Sequence, residues 1–170
     1  MISLLFETGT NRSGNPQAIQ TLAPMKVKQL SLFLENKPGA LSRPALLLAK
    51  AKLNILTLSI ADTQRFGIMR FIVSEWEKAK ALLEREGFVV NVTDMVAIEV
   101  ADEPGGLAHV LSALEKTPVN VEYMYGFTLR GEGKGLLAFR FNDPDAAIEA
   151  LRTKGINPVR SVELFQGAGE

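Results

Sequence analysis

The chain contains no cysteine, which excludes disulfide staples, iron-sulfur ligation, thiolate zinc sites and a cysteine nucleophile. Its only histidine, His109, has no acidic partner or nucleophile near it by spacing and reads as a solvated helix residue. Basic excess is missing too: 19 Lys and Arg balance 19 Asp and Glu, which disfavours nucleic-acid binding by phosphate neutralisation. No apolar run approaches the roughly 18 residues of a membrane span. Met1 to Phe6 is apolar, but Glu7 ends it and no basic segment precedes it, so no secretory signal is expected and the cytoplasm is the expected location. At 170 residues the chain fits one ordinary domain or two small ones.

What is present is a repeat. Asn36, Pro38, Gly39, Leu41 and Asn54 recur 66 residues later as Asp102, Pro104, Gly105, Leu107 and Asn120. Phe71, Ala79, Leu82, Leu83 and Gly87 recur at an offset of 68 as Phe139, Ala147, Ala150, Leu151 and Gly155. The two-residue insertion falls where Asp62 to Gly67 becomes the glycine-rich Arg130 to Gly135, a turn-forming stretch that tolerates length change. The expected modules are 26–93 and 94–166, preceded by a poorly structured leader over 1–25 and followed by a tail over 167–170.

Both modules carry the same order of elements. Leu30, Leu32 and Leu34, and then Val96, Ile98 and Val100, have the two-residue period of a strand. Leu41, Pro44, Ala45 and Leu48, and then Leu107, Val110, Leu111 and Leu114, have the spacing of an apolar helix stripe. Pro44 is acceptable only near a helix start, which places that start close to Gly39. Strands follow over 54–61 and 120–127, then over 68–73 and 136–141. Ser74 with Glu77, and Asn142 with Asp145, have the spacing of a capping box. Gly87 and Gly155 suit left-handed helix terminators. Strands over 88–92 and 159–164 complete the order βαββαβ. Right-handed crossovers place both helices of such a unit on one face. The predicted fold class is therefore α/β (α+β): two ferredoxin-like modules, each with two helices on one face of an antiparallel four-stranded sheet.

The opposite sheet face is mixed, with Val27, Phe33, Ile68, Ile72, Met95, Ala97, Leu136 and Ala138 beside Gln29, Ser31, Arg70, Glu99 and Arg140. It is too apolar to be left to water, and a homodimer partner's sheet is the expected cover, with a small-molecule groove or the leader as alternatives. Tyr123, Tyr125 and Phe127 project on one side of their strand and suit packing, a pocket or an interface. The modules differ in charge: residues 26–93 hold 11 basic against 6 acidic groups, a net of plus five, and residues 94–170 hold 7 against 12, a net of minus five.

The chemistry concentrates in two turns, Asn36-Lys37-Pro38-Gly39-Ala40-Leu41 and Asp102-Glu103-Pro104-Gly105-Gly106-Leu107. Glycine there permits a positive φ or a close backbone approach, and the following helix offers N–H groups to a carboxylate. Asn36 or Asp102 suits an ammonium group, and Asn54 or Asn120 can supply an amide from the next strand. The bland alternative is capping by Asn36 and Asp102 with local turn bonding by Asn54 and Asn120.

These strings, with Leu53-Asn54-Ile55 and Val119-Asn120-Val121, resemble the tandem ACT domain proteins, in particular the small stand-alone two-ACT members. The resemblance covers residues 26–166. It implies a regulatory or sensory protein that binds a free amino acid at an interface between modules, with no cofactor and no metal. It also implies ligand contacts from Asn36, Pro38, Gly39, Ala40, Leu41, Asn54 and Ile55, and from Asp102, Pro104, Gly105, Gly106, Leu107, Asn120 and Val121. A homodimer and an unidentified regulated enzyme are the partners it implies. Family members often carry an attached catalytic domain, and none is expected here.

Two other functions compete. A purely structural dimerisation or docking module needs no ligand, and a small phosphate hydrolase could hold an anion on Arg43, Arg70 or Arg140. No catalytic pair is specified by the sequence, so no enzyme is expected. Gly131 to Gly135 lacks the spacing and the following Ser or Thr of a phosphate loop. The leader matches neither module, so removing residues 1–24 is expected to leave amino-acid affinity unchanged in a calorimetric titration; loss of binding would make it part of the site.

Overall fold

The alternating leucines of Lys26–Glu35 form the first strand, β1, and their spacing decides what lies on each side of the sheet. In the computed structural model, residues 25–62, 65–127 and 134–166 are described. The leader, the tail and the tips of both expected hairpins lie outside them. After β1 come α1 (Ser42–Lys50), β2 (Ile55–Asp62), β3 (Phe66–Val73), α2 (Trp76–Arg85) and β4 (Val90–Ala101). The repeat continues with α3 (Gly106–Ser112), β5 (Val121–Gly126), β6 (Lys134–Phe141) and α4 (Pro144–Thr153), and α5 (Ser161–Gln166) ends it. Among the described residues, no helix is long and apolar enough to cross a membrane.

The strands make one sheet in the order β2-β3-β1-β4-β6-β5, with every neighbouring pair antiparallel. This corrects the expectation of two separate four-stranded sheets. Residues 90–101 alternate without a glycine or proline, so nothing turns the chain where one module was expected to end. Val90 to Val96 pairs with β1, and Val96 to Ala101 pairs with β6. The expected boundary between Thr93 and Asp94 is therefore interior to β4.

Because the two-residue period runs unbroken through β4, both helix layers fall on the same sheet face. Leu30, Leu32, Leu34, Met69 and Phe71 pack with Leu48 of α1 and with Ala79 and Leu83 of α2. Val96, Ile98, Val100, Phe139 and Phe141 pack with Val110 of α3 and with Ala147, Ile148 and Leu151 of α4. Full burial of a large aliphatic or aromatic side chain contributes about 1.5–3 kcal/mol, which makes these two clusters the main source of stability. The expected apolar stripes are narrower than their spacing suggested, since Leu41, Ala45, Leu107 and Leu111 remain exposed.

The helix starts differ from the expected capping boxes. Ser74 makes no cap, and α2 begins after Glu75 without a side-chain cap. In the second copy Asp143, one residue later than expected, accepts from the Asp145 and Ala146 amides at 3.1 and 3.0 Å. Asn142 is engaged elsewhere, accepting from the Asn120 amide at 2.8 Å. Gly87 and Gly155 take the positive φ expected of terminators, 88° and 76°.

The expected final strand over 159–164 is also corrected. Its place beside β4 is taken by β1 along Val90 to Val96, leaving room for one bond, from the Val159 N–H to the Ala97 carbonyl at 2.8 Å. The chain then turns into α5, where Glu163 accepts from the Arg160 amide at 3.3 Å and pairs with its guanidinium. That bond holds the exposed Glu163 carboxyl below its usual range. Leu164 and Phe165 fold onto the sheet face opposite the other helices.

The middle of that inner face is covered from within the chain, where the sequence suggested a partner's sheet, while Phe33 of the same face stays 52% exposed. Val27, Ile72, Met95, Ala97, Leu136 and Ala138 form a third buried cluster, packed against Leu56 of β2 and against Tyr123 and Tyr125 of β5. The sheet curls until its outer strands meet, and the Thr57 hydroxyl donates to the Gly126 carbonyl at 2.8 Å. Between them the fully buried Gln29 donates to the Ser31 hydroxyl at 3.0 Å and to the Tyr123 hydroxyl at 2.9 Å. Its amide oxygen accepts from the Tyr125 hydroxyl at 2.8 Å. Arg70 stacks on the Tyr123 ring at 4.4 Å.

Gln29→Leu strands three polar groups and is expected to lower stability by about 1–3 kcal/mol in urea unfolding. Burial, reinforced by the Tyr123 phenol, raises the Tyr125 pKa, while Arg70 opposes the shift. An acid held neutral in the fold gives stability that is complete below about pH 10, the unfolded tyrosine value. That stability drains as pH rises and the unfolded chain ionises first. Tyr125→Phe is expected to cost about 1 kcal/mol at pH 7 through the lost hydrogen bond. The gap to the parent protein should narrow above pH 10, and a gap independent of pH would refute the assignment.

Candidate ligand-binding site

The first turn leaves the end of β1. Gly39 adopts φ 83°, its carbonyl accepts from the Ser42 amide at 3.1 Å, and the Lys37 carbonyl accepts from the Ala40 amide at 3.2 Å. The Asn36 amide donates to the Arg65 carbonyl at 2.9 Å, tying the turn to the β2–β3 connection. Lys37 is paired with Glu35 at 2.5 Å. Asn36, Pro38, Gly39 and Leu41 are exposed, and Ala40 is half-buried.

The second turn leaves the end of β4 with a different packing. Gly105 adopts φ 99°, and Gly106 is buried so closely that an added Cβ would stand 2.1 Å from the Ala101 carbonyl oxygen. Asp102, Glu103 and Pro104 are exposed, and neither carboxylate has an ion pair or hydrogen bond among the described residues. A cavity of about 410 Å³ opens beside this turn. Val100, Leu107 and Leu137 supply its apolar surface, with Asp102, Glu103 and Pro104 along one side.

The second-strand asparagines stand elsewhere. The turn after β1 shares its end of the sheet with the Glu35–Phe66 row, whereas Asn54 lies at the end where Ile55 pairs with Val73. Six residues of β1 separate the Glu35–Phe66 and Gln29–Ile72 rows, roughly 20 Å at strand rise. In the second module, Ala101 pairs with Lys134 and Val121 with Phe141. Asn120 and its turn are therefore also at opposite ends. The structure does not bring Asn54 to the Pro38-Gly39 turn, or Asn120 to the Pro104-Gly105 turn, within one chain.

Asn54 instead lines a groove of about 420 Å³ with Leu48, Lys52, Leu53 and Ile55. Ile55 and Val121 are half-buried, and Asn54 and Asn120 are exposed. The side chains of Asn36, Asn54, Asp102 and Asn120 make no hydrogen bond among the described residues. Neither α1 nor α3 has a side-chain cap, so capping by Asn36 and Asp102 is not realised. Sequence reasoning missed Lys52, whose φ of 57° is unusual for a side chain with Cβ. It also missed Val100 and Leu137, which read only as core positions. No group of three His, Cys, Asp or Glu is placed to hold a metal ion among the described residues.

Residues 25–166 match the family described as an ACT domain pair. The chain belongs to that family. Its ACT pair is similar to protein BT0572 from Bacteroides thetaiotaomicron, with 39% identity over 84% of this chain and 97% of that one, at a TM-score of 0.78. The fold is also similar to the regulatory subunit of aspartate kinase from Thermus thermophilus, with 18% identity over 76% and 93% of the two chains and a TM-score of 0.57. The corresponding subunit from Thermus flavus shares 16% identity over 76% and 92%, with a TM-score of 0.53. At these identities the Thermus proteins show likeness of fold alone. No curated protein matches the chain.

The close approach at Gly106 gives the second ACT turn its own sensitivity. Gly106→Ala is expected to cost roughly 1–3 kcal/mol by pushing the turn off the end of β4. Gly105→Ala should cost about 1–2 kcal/mol through its positive φ alone. Thermal unfolding of both variants checks the pair, and a Gly106→Ala protein as stable as its parent would contradict the packing.

Proposed function

We propose that this ACT pair is a regulatory or sensory protein that binds a free amino acid at an interface between modules and carries out no chemistry of its own. One observation carries the reading. Asn36, Asn54, Asp102 and Asn120 are exposed at turns and strand starts and spend no side-chain hydrogen bond on the fold among the described residues. A polar group released from structural duty is available to a ligand, and the cavity beside Asp102 has room for a small one.

Each turn is separated from the asparagine of its own module, so a ligand touching both kinds of group lies where two modules meet. The functional unit is a homodimer, and its output is directed to an unidentified regulated enzyme. A ligand held between two bodies can bias their arrangement, provided it binds one arrangement more tightly than another. The Thermus relatives, named as regulatory subunits, support this direction.

Calorimetric titration with the twenty amino acids tests the reading, with saturable binding of at least one as the expected result. Asn54→Ala and Asn120→Ala should each weaken it about fivefold, the loss of one hydrogen bond worth about 1 kcal/mol. Undiminished affinity in both variants would remove the asparagines from the site. Absence of any binding would favour the purely structural module.

A further inference from the structure

The inner sheet face ends differently in the two modules. In the second, Glu99 and Lys134 stand at its rim and pair at 3.1 Å. The offsets of 66 and 68 residues put Phe33 and Phe66 at those positions in the first module, and they are 52% and 55% exposed. Ile68, opposite Phe33, is half-buried, and Ala61, opposite Ile68, is exposed. The equivalent of Ile68 is Leu136, which is buried in the cluster that Leu164 and Phe165 of α5 pack against. A segment near one end of the chain thus helps to cover the second module's inner face, whereas the first module keeps an apolar row at its surface. Such a row marks a docking surface.

The most apolar stretch outside the described residues is Met1-Ile2-Ser3-Leu4-Leu5-Phe6. Its Leu5-Phe6 pair repeats Leu164-Phe165, the pair by which α5 sits on the inner face, and Glu7 follows where α5 has Gln166. Thr8 to Gln17 carry no large apolar side chain, which leaves Ile2, Leu4, Leu5 and Phe6 as a separate unit. Nineteen residue steps separate Glu7 from Lys26, the first residue of β1, an extended reach of about 60 Å. Phe33 lies seven steps along β1 from Lys26, about 23 Å at strand rise. The chain is long enough to return to the patch. Covalent attachment also holds the segment there at an effective concentration on the order of millimolar, an advantage that a second copy competing for the same patch lacks.

We propose that residues 1–7 dock on the inner face of the first module, with Leu4, Leu5 and Phe6 covering Phe33, Ala61 and Ile68. The leader then does for the first module what α5 does for the second. The docking is independent of the amino-acid reading, because Phe33, Ala61 and Ile68 are not among the proposed ligand contacts.

Cysteine trapping and a thermal cycle test it in the full chain. Because the chain has no cysteine of its own, Ser3→Cys combined with Ala61→Cys offers one possible internal disulfide, followed by mass spectrometry in a glutathione redox buffer. Ser3→Cys combined with Glu77→Cys, on the exposed side of α2 and the opposite face of the sheet, is the control. The bridge to position 61 is expected to form at least about tenfold faster than the bridge to position 77, as a difference in effective concentration requires. Removing residues 1–7 should lower the melting temperature by about 2–4 °C. In a Phe33→Ser or an Ala61→Glu background, where the patch is already spoiled, the same removal should lower it by less than about 1 °C. Ala61→Glu, at an exposed position, serves if Phe33→Ser does not fold.

Equal trapping at positions 61 and 77, or a truncation that shifts melting as much in the Ala61→Glu background as in the parent protein, would overturn the docking. A disulfide that joins two chains, or self-association of the parent that Ala61→Glu abolishes, would overturn it too and assign the patch to a second copy. Loss of amino-acid affinity on truncation would overturn the independence of patch and ligand site.

Discussion

A carboxamide buried away from water must find partners for both its oxygen and its nitrogen or cost several kcal/mol. Gln29 finds them on Ser31 of its own strand and on Tyr123 and Tyr125 of the far edge of the sheet. Those bonds can be satisfied only when the sheet has curled enough to bring β5 over β1. The apolar cluster of Val27, Ile72, Met95, Ala97, Leu136 and Ala138 supplies non-directional attraction for that closure. The amide adds direction, since its bonds hold in one relative placement of the halves. The Thr57 bond to Gly126 and the Arg70 stack on Tyr123 lie on the same seam.

Closure of the inner face changes where function can reside. Most of the surface that seemed in need of a partner is buried within the chain, although Phe33 stays exposed, and the helix-bearing face carries the two main cores. At the ends of the sheet, turns and strand starts leave polar side chains unengaged among the described residues. The repeat places equivalent groups at both ends, but the end sites are not equal. Glu35 and Lys37 neutralise one another at the first turn, whereas Asp102 and Glu103 at the second have no ion pair among the described residues. Duplication therefore leaves a neutralised pair at one turn and two carboxylates beside a cavity at the other.

Much of this was legible in the residues. The 66- and 68-residue offsets located both copies, and two-residue alternation identified the helix-covered face correctly at Leu30, Leu32, Leu34, Val96, Ile98 and Val100. Gly87 and Gly155 ended their helices as turn chemistry requires. The misses had specific causes. Ser74 and Asn142 have the side chains of caps, but capping depends on where the preceding strand delivers the chain, and Asn142 had a competing partner at Asn120. Residues 159–164 have strand-forming composition, yet a strand needs a free neighbour, and β1 had taken most of the edge of β4.

The sequence by itself determined the doubled module, the helix-bearing face, the positive-φ glycines and the opposite charges of the two halves, because each follows from local periodicity, backbone stereochemistry or counting. Only the tertiary structure decided that β4 serves both modules, that the mixed face closes on itself, and that each asparagine lies roughly 20 Å of strand from its own turn. Those outcomes depend on which strands pair and how far the sheet bends. Both are settled by competition for edges and by burial across the whole chain, which no local stretch of residues contains.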